Sequence, residues 1–183
     1  MARHRTHHPR THGTKHDDIL KAGKGAAALY GHAGDDILIG GRHIDGLIGG
    51  RGNDILKGGA GADVMSGGRG SDILIGGPGS PDGSNEDIFD GGRGHNIYIA
   101  GSGRDVFVFN GGINVVRGAE SSDAVEVKAS AYFADTTNAG VTYDQATGIL
   151  TLDQNTTDDG SPTIQIGYFT PGFALDDSHI FVV

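Results

Sequence analysis

Aspartate returns through the first two thirds of the chain at steps that are mostly nine or eighteen residues: Asp18, Asp36, Asp45, Asp54, Asp63 and Asp72, then Asp87, Asp105 and Asp123. From Gly31 the text reads GHAGDDILI, GGRHIDGLI, GGRGNDILK, GGAGADVMS and GGRGSDILI without a gap. Each of these carboxylates therefore closes a glycine-rich stretch and precedes residues that favour strands. Carboxylates set beside bare backbone form a hard-oxygen donor set. Calcium takes about six to eight oxygens at roughly 2.3–2.6 Å, and glycines present carbonyls without side-chain obstruction. The chemistry implied is calcium binding, repeated along the chain.

The elements that must position these groups follow from the repeat G-G-x-G-x-D-x-U-x, where U is a large apolar residue. Weaker copies extend it in both directions. GTKHDDILK starts at Gly13 and AGKGAAALY at Ala22. After Ile75 the GGPG at Gly76 resumes as DIFD at Asp87, across an insertion within Ser80–Glu86. GGRGHNIYI, AGSGRDVFV, FNGGINVVR and GAESSDAVE complete about twelve units from Gly13 to Glu126. The first six positions of a unit are turn-forming, because glycine permits left-handed backbone. The last three, such as Ile37-Leu38-Ile39, suit a short strand whose central residue alone points inward. That inward column is Leu20, Leu29, Leu38, Leu47, Leu56, Met65, Leu74, Phe89, Tyr98, Phe107, Val116 and Val125, apolar throughout.

Two units make one coil of eighteen residues, with odd units in one sheet and even units in the other. Six coils at a strand spacing of roughly 4.8 Å give a rod about 29 Å long. Aspartates two units apart then face each other on one edge at about 5 Å, a repulsion near 0.8 kcal/mol per pair even in water. A divalent ion between the turns reverses that sign, so folding should depend on the metal. The alternative is that the aspartates only form Asx-type turns.

Composition narrows the function classes. The formal net charge is −9, which argues against nucleic acid and in favour of cations. There is no cysteine, hence no disulfide or thiolate metal site. No apolar run approaches the roughly 20 residues of a membrane span. The basic, His-rich start, MARHRTHHPRTHGTKH, lacks the apolar core of an ordinary secretory signal. Its histidines (His4, His7, His8, His12 and His16) fix no metal geometry, and a disordered tail over residues 1–12 is the expectation. His32, His43 and His95 fall in turns and read as solvated substitutions. Asp153–Asp158 lacks the glycine and closing glutamate of an EF-hand, and no hydrolase or phosphate-loop pattern occurs.

The runs from Gly13 to Glu126 resemble the RTX (repeats-in-toxin) family of secreted, hemolysin-type calcium-binding proteins. The resemblance implies an all-β fold, a right-handed parallel β-roll of nonapeptide repeats followed by a β-rich C-terminal cap. It also implies ions held between alternate turns. On the odd edge Asp18, Asp36, Asp54 and Asp72 would make three pairs, weakened beyond by Asn96 and Asn114. On the even edge Asp45, Asp63, Asp87, Asp105 and Asp123 would make four, with the insertion putting the sites beside Asp87 in doubt. Ala27 would supply no ligand, and His43 replaces a turn glycine. The backbone donors would come from Gly31 and Gly34; Gly49, Gly50 and Gly52; Gly58, Gly59 and Gly61; Gly67, Gly68 and Gly70; and Gly76, Gly77 and Gly79. About seven good Ca2+ sites follow.

Beyond Val127 the period disappears. VEVKASAYFA, VTYDQATGILTLD and TIQIGYF read as strands in a segment 127–183, and eleven of the twelve Phe and Tyr residues lie at or beyond Phe89. GRDVFVFN, VTYDQATGILTLD and DDSHIFVV resemble the region that follows RTX arrays, which caps the roll and carries an uncleaved type I secretion signal. Asp176-Asp177 before Ile180-Phe181-Val182-Val183 fits that pattern; an ordinary final strand is the alternative. The odd sheet would expose Ile19, Ile37, Ile39, Ile55, Ile73, Ile75, Ile97, Ile99 and Val115, a face expected to be covered by the C-terminal segment or used for self-association. Strand propensity alone would also place isoleucines there.

The functional expectation is a secreted or cell-surface, non-catalytic protein folded by extracellular calcium. Its partners would be extracellular polysaccharide or a cell-surface or matrix protein. An accessory module of a secreted protease, lipase or alginate epimerase is the alternative, and Met1 favours a whole chain over such a fragment. A calcium buffer retained in the cell would need affinity far tighter than extracellular modules, which work near roughly 10⁻⁴–10⁻³ M.

Overall fold

The U-centred triplets form strands, and the glycine runs between them turn the chain back. A computed structural model describes residues 10–78, 85–120, 122–128, 140–153, 163–169, 175 and 179–183. Its strands are β1 (Arg10–His12), β2 (Ile19–Lys21), β3 (Ala28–Ala33), β4 (Ile37–Gly41), β5 (Gly46–Arg51), β6 (Ile55–Gly59), β7 (Val64–Arg69) and β8 (Ile73–Gly77). They continue as β9 (Ile88–Arg93), β10 (Ile97–Gly101), β11 (Val106–Phe109), β12 (Asn114–Arg117), β13 (Ala124–Val127), β14 (Gly140–Asp144), β15 (Ile149–Asp153), β16 (Thr163–Phe169) and β17 (Ile180–Val182).

Even units form an eight-stranded sheet in the order β1-β3-β5-β7-β9-β11-β13-β17. Odd units form the other sheet, which runs β2-β4-β6-β8-β10-β12 and then β16-β15-β14. Every pairing among repeat strands is parallel and keeps equivalent repeat positions in register, as in Leu38↔Leu56 and Leu47↔Met65. This is a parallel β-roll. All twelve residues of the inward column are buried, and they form one core between the sheets. Toward the C-terminus the core turns aromatic: Phe89, Tyr98, Phe107, Phe109 and Phe169 have neighbouring ring centroids 5.2–6.3 Å apart.

Close stacking of the turns explains the glycine content. Gly52 holds φ +130°, and a Cβ there would strike the carbonyl of Gly34 one coil earlier. In the same turns Gly52 N–H donates to Arg69 O at 2.9 Å. Only a residue without a side chain fits this approach.

Four expectations are revised. Ordered structure starts before Gly13, because β1 pairs in parallel with β3. The stretch VTYDQATGILTLD is a hairpin: Asp144 Oδ1 accepts Ala146 N–H at 2.9 Å, and Gly148 N–H bonds Asp144 O at 2.7 Å. The sequence in the turn matches this, since Asp bonds its own backbone nearby and Gly148 takes φ +74°. The described C-terminal strands do not lie across the isoleucine face. Instead β16 joins the open edge of β12 in parallel, and β17 joins β13. Both sheets thereby gain further rungs, and Leu150, Leu152, Ile166 and Phe169 extend the core. Finally, the odd face is shielded only in its middle: Ile37, Ile55, Ile73 and Ile97 stack in register and are half-buried, whereas Ile19 and Ile99 are 66% and 38% exposed, and on the even face Ile48 and Val64 are 42% and 50% exposed. Lys57 also interrupts the Ile39–Ile75 column.

Candidate metal centre

The repeated aspartates stand at the last turn residue before each strand, and stacking aligns them in two columns. The link between coils is the same at nearly every step. Asp18 N–H donates to Asp36 Oδ1, Asp36 N–H to Asp54 Oδ1 and Asp54 N–H to Asp72 Oδ1, each at 2.8 Å. On the other edge the acceptors are Asp63 for Asp45, Asp87 for Asp63, Asp105 for Asp87 and Asp123 for Asp105, at 2.8–3.0 Å. Ala27 joins only as a donor, its N–H reaching Asp45 Oδ1 at 2.7 Å.

One oxygen of each carboxylate is thus used. The other is the notable one. Oδ2 of Asp36, Asp45, Asp54, Asp63 and Asp72 is buried without any hydrogen-bond partner. Five orphaned carboxylate oxygens in a small domain are energetically unreasonable unless each is protonated or meets a cation. Burial raises the Asp54 and Asp72 carboxyls to about 6 and those of Asp63 and Asp105 to about 7. It also raises Asp36, Asp45, Asp87 and Asp123. For Asp54 and Asp63 the charges of the carboxylates above and below add to this.

The orphaned oxygens lie over the first glycine of their own unit. A Cβ on Gly31, Gly49, Gly58, Gly67 or Gly76 would strike the carboxylate of Asp36, Asp54, Asp63, Asp72 or Asp87 respectively. The second and fourth glycines (Gly50, Gly59, Gly68 and Gly77; Gly34, Gly52, Gly61 and Gly70) have positive φ. The carbonyls of Gly34, Gly50, Gly52 and Gly59 lie against the backbone one coil on. Carboxylate and carbonyl oxygens therefore share each turn. Among the described residues no three His, Asp or Glu side chains converge, so each step offers at most two carboxylates, with backbone supplying the rest. That donor set suits a hard, oxygen-preferring cation such as calcium.

The ends of the columns differ. Asp18 Oδ2 accepts Thr14 N–H at 2.6 Å and the Thr14 hydroxyl at 2.8 Å, and the backbone bond holds this carboxyl below its usual value. Asp123 Oδ2 is taken by Glu120 N–H at 2.7 Å. On the odd edge Asn96 replaces the carboxylate: its Oδ1 accepts Asp72 N–H at 3.0 Å, and its Nδ2 donates to Asn114 Oδ1 at 3.1 Å. Tyr98 fills the inward slot and accepts Gly91 N–H at 3.0 Å. Neutral amides end that ladder where the sequence suggested it would weaken.

Three features escaped the sequence reading. The insertion leaves the ladder intact, because the bonds from Asp63 to Asp87 and from Asp72 to Asn96 span twenty-four residues with ordinary geometry. In that coil the fourth turn position is taken by Asn85, whose carbonyl packs against Gly103 and accepts Arg104 N–H at 3.0 Å. Gly79 lies outside the described residues, as do Asp176 and Asp177. A second ladder runs at the fifth turn position in the opposite sense: Asp35 N–H to Asp17 Oδ1, Asn53 N–H to Asp35 Oδ1 and Ser71 N–H to Asn53 Oδ1, at 2.7–2.8 Å. Two of the turn histidines are not merely solvated. His32, at φ +81°, bonds His12 across 3.1 Å and stacks on it, and His95 Nδ1 accepts Ile113 N–H at 3.2 Å.

Fold and site together define a calcium-binding β-roll. The sequence profile of the RTX calcium-binding nonapeptide repeat matches residues 12–47, 48–80 and 82–107, more than half of the chain. The chain belongs to that family. A comparison with curated proteins finds no match. Among solved structures it is similar to the extracellular lipase LipA from Serratia marcescens, with 18% identity and a TM-score of 0.37. The alignment covers 98% of this chain and 40% of the lipase. Among the described residues no helix is long and apolar enough to cross a membrane.

Proposed function

We propose that this protein is an exported, non-catalytic calcium-folded β-roll. Calcium ions bridge adjacent turns through the paired aspartates, and the protein serves outside the cell as a binding or structural element. The orphaned Oδ2 atoms carry the reading. A metal-free roll at neutral pH buries facing carboxylates, whereas calcium turns each repulsive pair into a bridge. Asp36–Asp54, Asp54–Asp72 and Asp45–Asp63 are the strongest steps, since both members have a free buried oxygen. Four further steps bring the expected number to about seven sites, with turn carbonyls completing each shell.

In this reading residues 13–126 form the roll and 127–183 form the cap, whose end carries the type I secretion signal. At the low calcium of the cytosol the acidic, glycine-rich chain stays unfolded and threadable; outside, calcium folds it and opposes return.

Limited proteolysis in chelator and in millimolar calcium tests the proposal. Residues 13–126 should be cut rapidly in chelator and protected by calcium but not by magnesium. Equal protection in both conditions would dismiss it.

A further inference from the structure

Two histidines lie outside the calcium ladder, and the fold brings them together. His12 closes β1, and His32 lies near the end of β3. The two strands pair in parallel with His12 opposite Tyr30, and alternation along β3 puts Tyr30 and His32 on one outward face. His12 Nδ1 and His32 Nε2 lie 3.1 Å apart, and both residues are exposed. Tyr30 stacks on the His12 ring, with centroids 4.7 Å apart and planes within 9°. The ring is thereby held in place toward His32. In the sequence twenty residues separate the pair; stacking of the first coils supplies the geometry.

The turn does not itself call for a histidine. Among the described residues His32, at φ +81°, is the only non-glycine with positive φ. The same register position is Gly50, Gly68 and Gly92 on the next three rungs, all with positive φ. Glycine takes that backbone without strain, so the side chain is kept for what its ring does. A hydrogen bond between two exposed rings is a weak reason, because water competes for both partners. The adjoining position differs too. Ala33 stands where the next three rungs carry Arg51, Arg69 and Arg93. Of these four rungs, the one with the histidine lacks the guanidinium that would repel a cation.

We propose that His12 and His32 form a second kind of metal site, for a divalent transition-metal ion such as zinc. Donor chemistry selects the occupant: two imidazole nitrogens without a carboxylate suit zinc, copper or nickel and not a hard calcium or magnesium ion. Bonds of roughly 2.0–2.1 Å to nitrogens 3.1 Å apart subtend about 98°, between the octahedral and tetrahedral angles. In the metal-free pair one N–H lies between the rings. On binding, that proton moves to the far nitrogen of its own ring, and both lone pairs face the ion. Among the described residues no third His, Asp or Glu side chain joins them, so the remaining coordination positions face solvent. The ion ties β1, an edge strand of three residues, to β3. Calcium cannot do this there, because Ala27, in the turn before β3, brings no carboxylate to the even ladder. The proposal rests on the calcium reading only in that calcium folds the roll in which these strands pair.

The test is calorimetric titration of zinc into the full chain in saturating calcium, with circular dichroism confirming the fold of every variant. Wild type should bind zinc in the presence of excess magnesium. His32→Gly restores the glycine of the neighbouring rungs; it should weaken zinc at least roughly tenfold, the order lost when even an outer-shell partner of a metal is removed, and leave the calcium transition unchanged. His12→Gln should weaken zinc likewise, whereas H4Q/H7Q/H8Q should keep the site. Hydrogen exchange gives a second readout. The Gly13 amide donates to Tyr30 O at 2.7 Å, and its exchange should slow on adding zinc to wild type but not to H32G. The proposal is overturned if H32G binds zinc as tightly as wild type, if H4Q/H7Q/H8Q abolishes binding, or if zinc leaves Gly13 exchange unchanged. Absence of a calcium transition in wild type would instead strike the calcium reading, and the same zinc titration and exchange would still decide this one.

Discussion

Replacing Asp54 by asparagine separates the two roles its carboxylate could have. Oδ1 accepts Asp36 N–H at 2.8 Å, and an asparagine carbonyl can keep that bond. Oδ2 is the buried oxygen without a partner, flanked by Asp36 above and Asp72 below, and in the variant it becomes a neutral amide. Without metal, two facing repulsions disappear. At a strand spacing of roughly 4.8 Å each is worth about 0.9 kcal/mol in water and about 3.5 kcal/mol at an effective dielectric near 20. The chelated variant should therefore be no less structured than wild type at neutral pH. With metal, two bridges each lose a charged ligand, roughly a tenfold loss per bridge for a charge-assisted contact. The calcium midpoint of the far-UV transition should rise, and calorimetry should show two weakened sites. If D54N left the midpoint unchanged, the aspartates would be turn hydrogen-bonding residues only and the bridging argument would fail.

Further predictions concern the turns, protons and core. Gly58→Ala drives a Cβ into the Asp63 carboxylate and should abolish calcium-induced structure, whereas Gly46→Ala, with nothing within 4 Å, should leave the calcium midpoint within about twofold. Folded-state carboxyls at about 6 and 7, against 3.8 unfolded, mean that the metal-free roll holds more protons than the open chain. Its stability should thus be greatest below the unfolded value and fall as pH rises toward about 7. Acidifying chelated protein from neutral pH to about 5 should increase β signal, and calcium binding near pH 6.5 should release protons; a pH-independent chelated spectrum with no proton release would contradict this. Tyr98→Phe leaves Gly91 N–H without its acceptor and should cost roughly 1–2 kcal/mol in urea unfolding of the calcium form, without altering the calcium stoichiometry.

The sequence made the roll legible because its signals are local and repeated. One buried residue per triplet defines the core, and the aspartate before it defines the edge. Position within a unit also set which carboxylates would face each other, since parallel stacking preserves register. Features that depend on the coil above or below were not visible. Asn85 holds the fourth turn position after the insertion, whereas a nonapeptide frame laid on the text gives that place to Gly79. The fifth-position ladder runs against the main one, a direction set by backbone orientation in the stacked turns. The C-terminal strands have apolar patterns that suit either a face or an edge. Edge addition wins because β12 and β13 would otherwise leave unpaired backbone at the end of each sheet.

Calorimetric titration of the chelated protein with calcium, followed in parallel by far-UV circular dichroism, tests the central claim most directly. The account predicts a cooperative coil-to-β transition near millimolar calcium, with about seven ions bound. A protein already β-structured in chelator at neutral pH, with no ions taken up on titration, would contradict it.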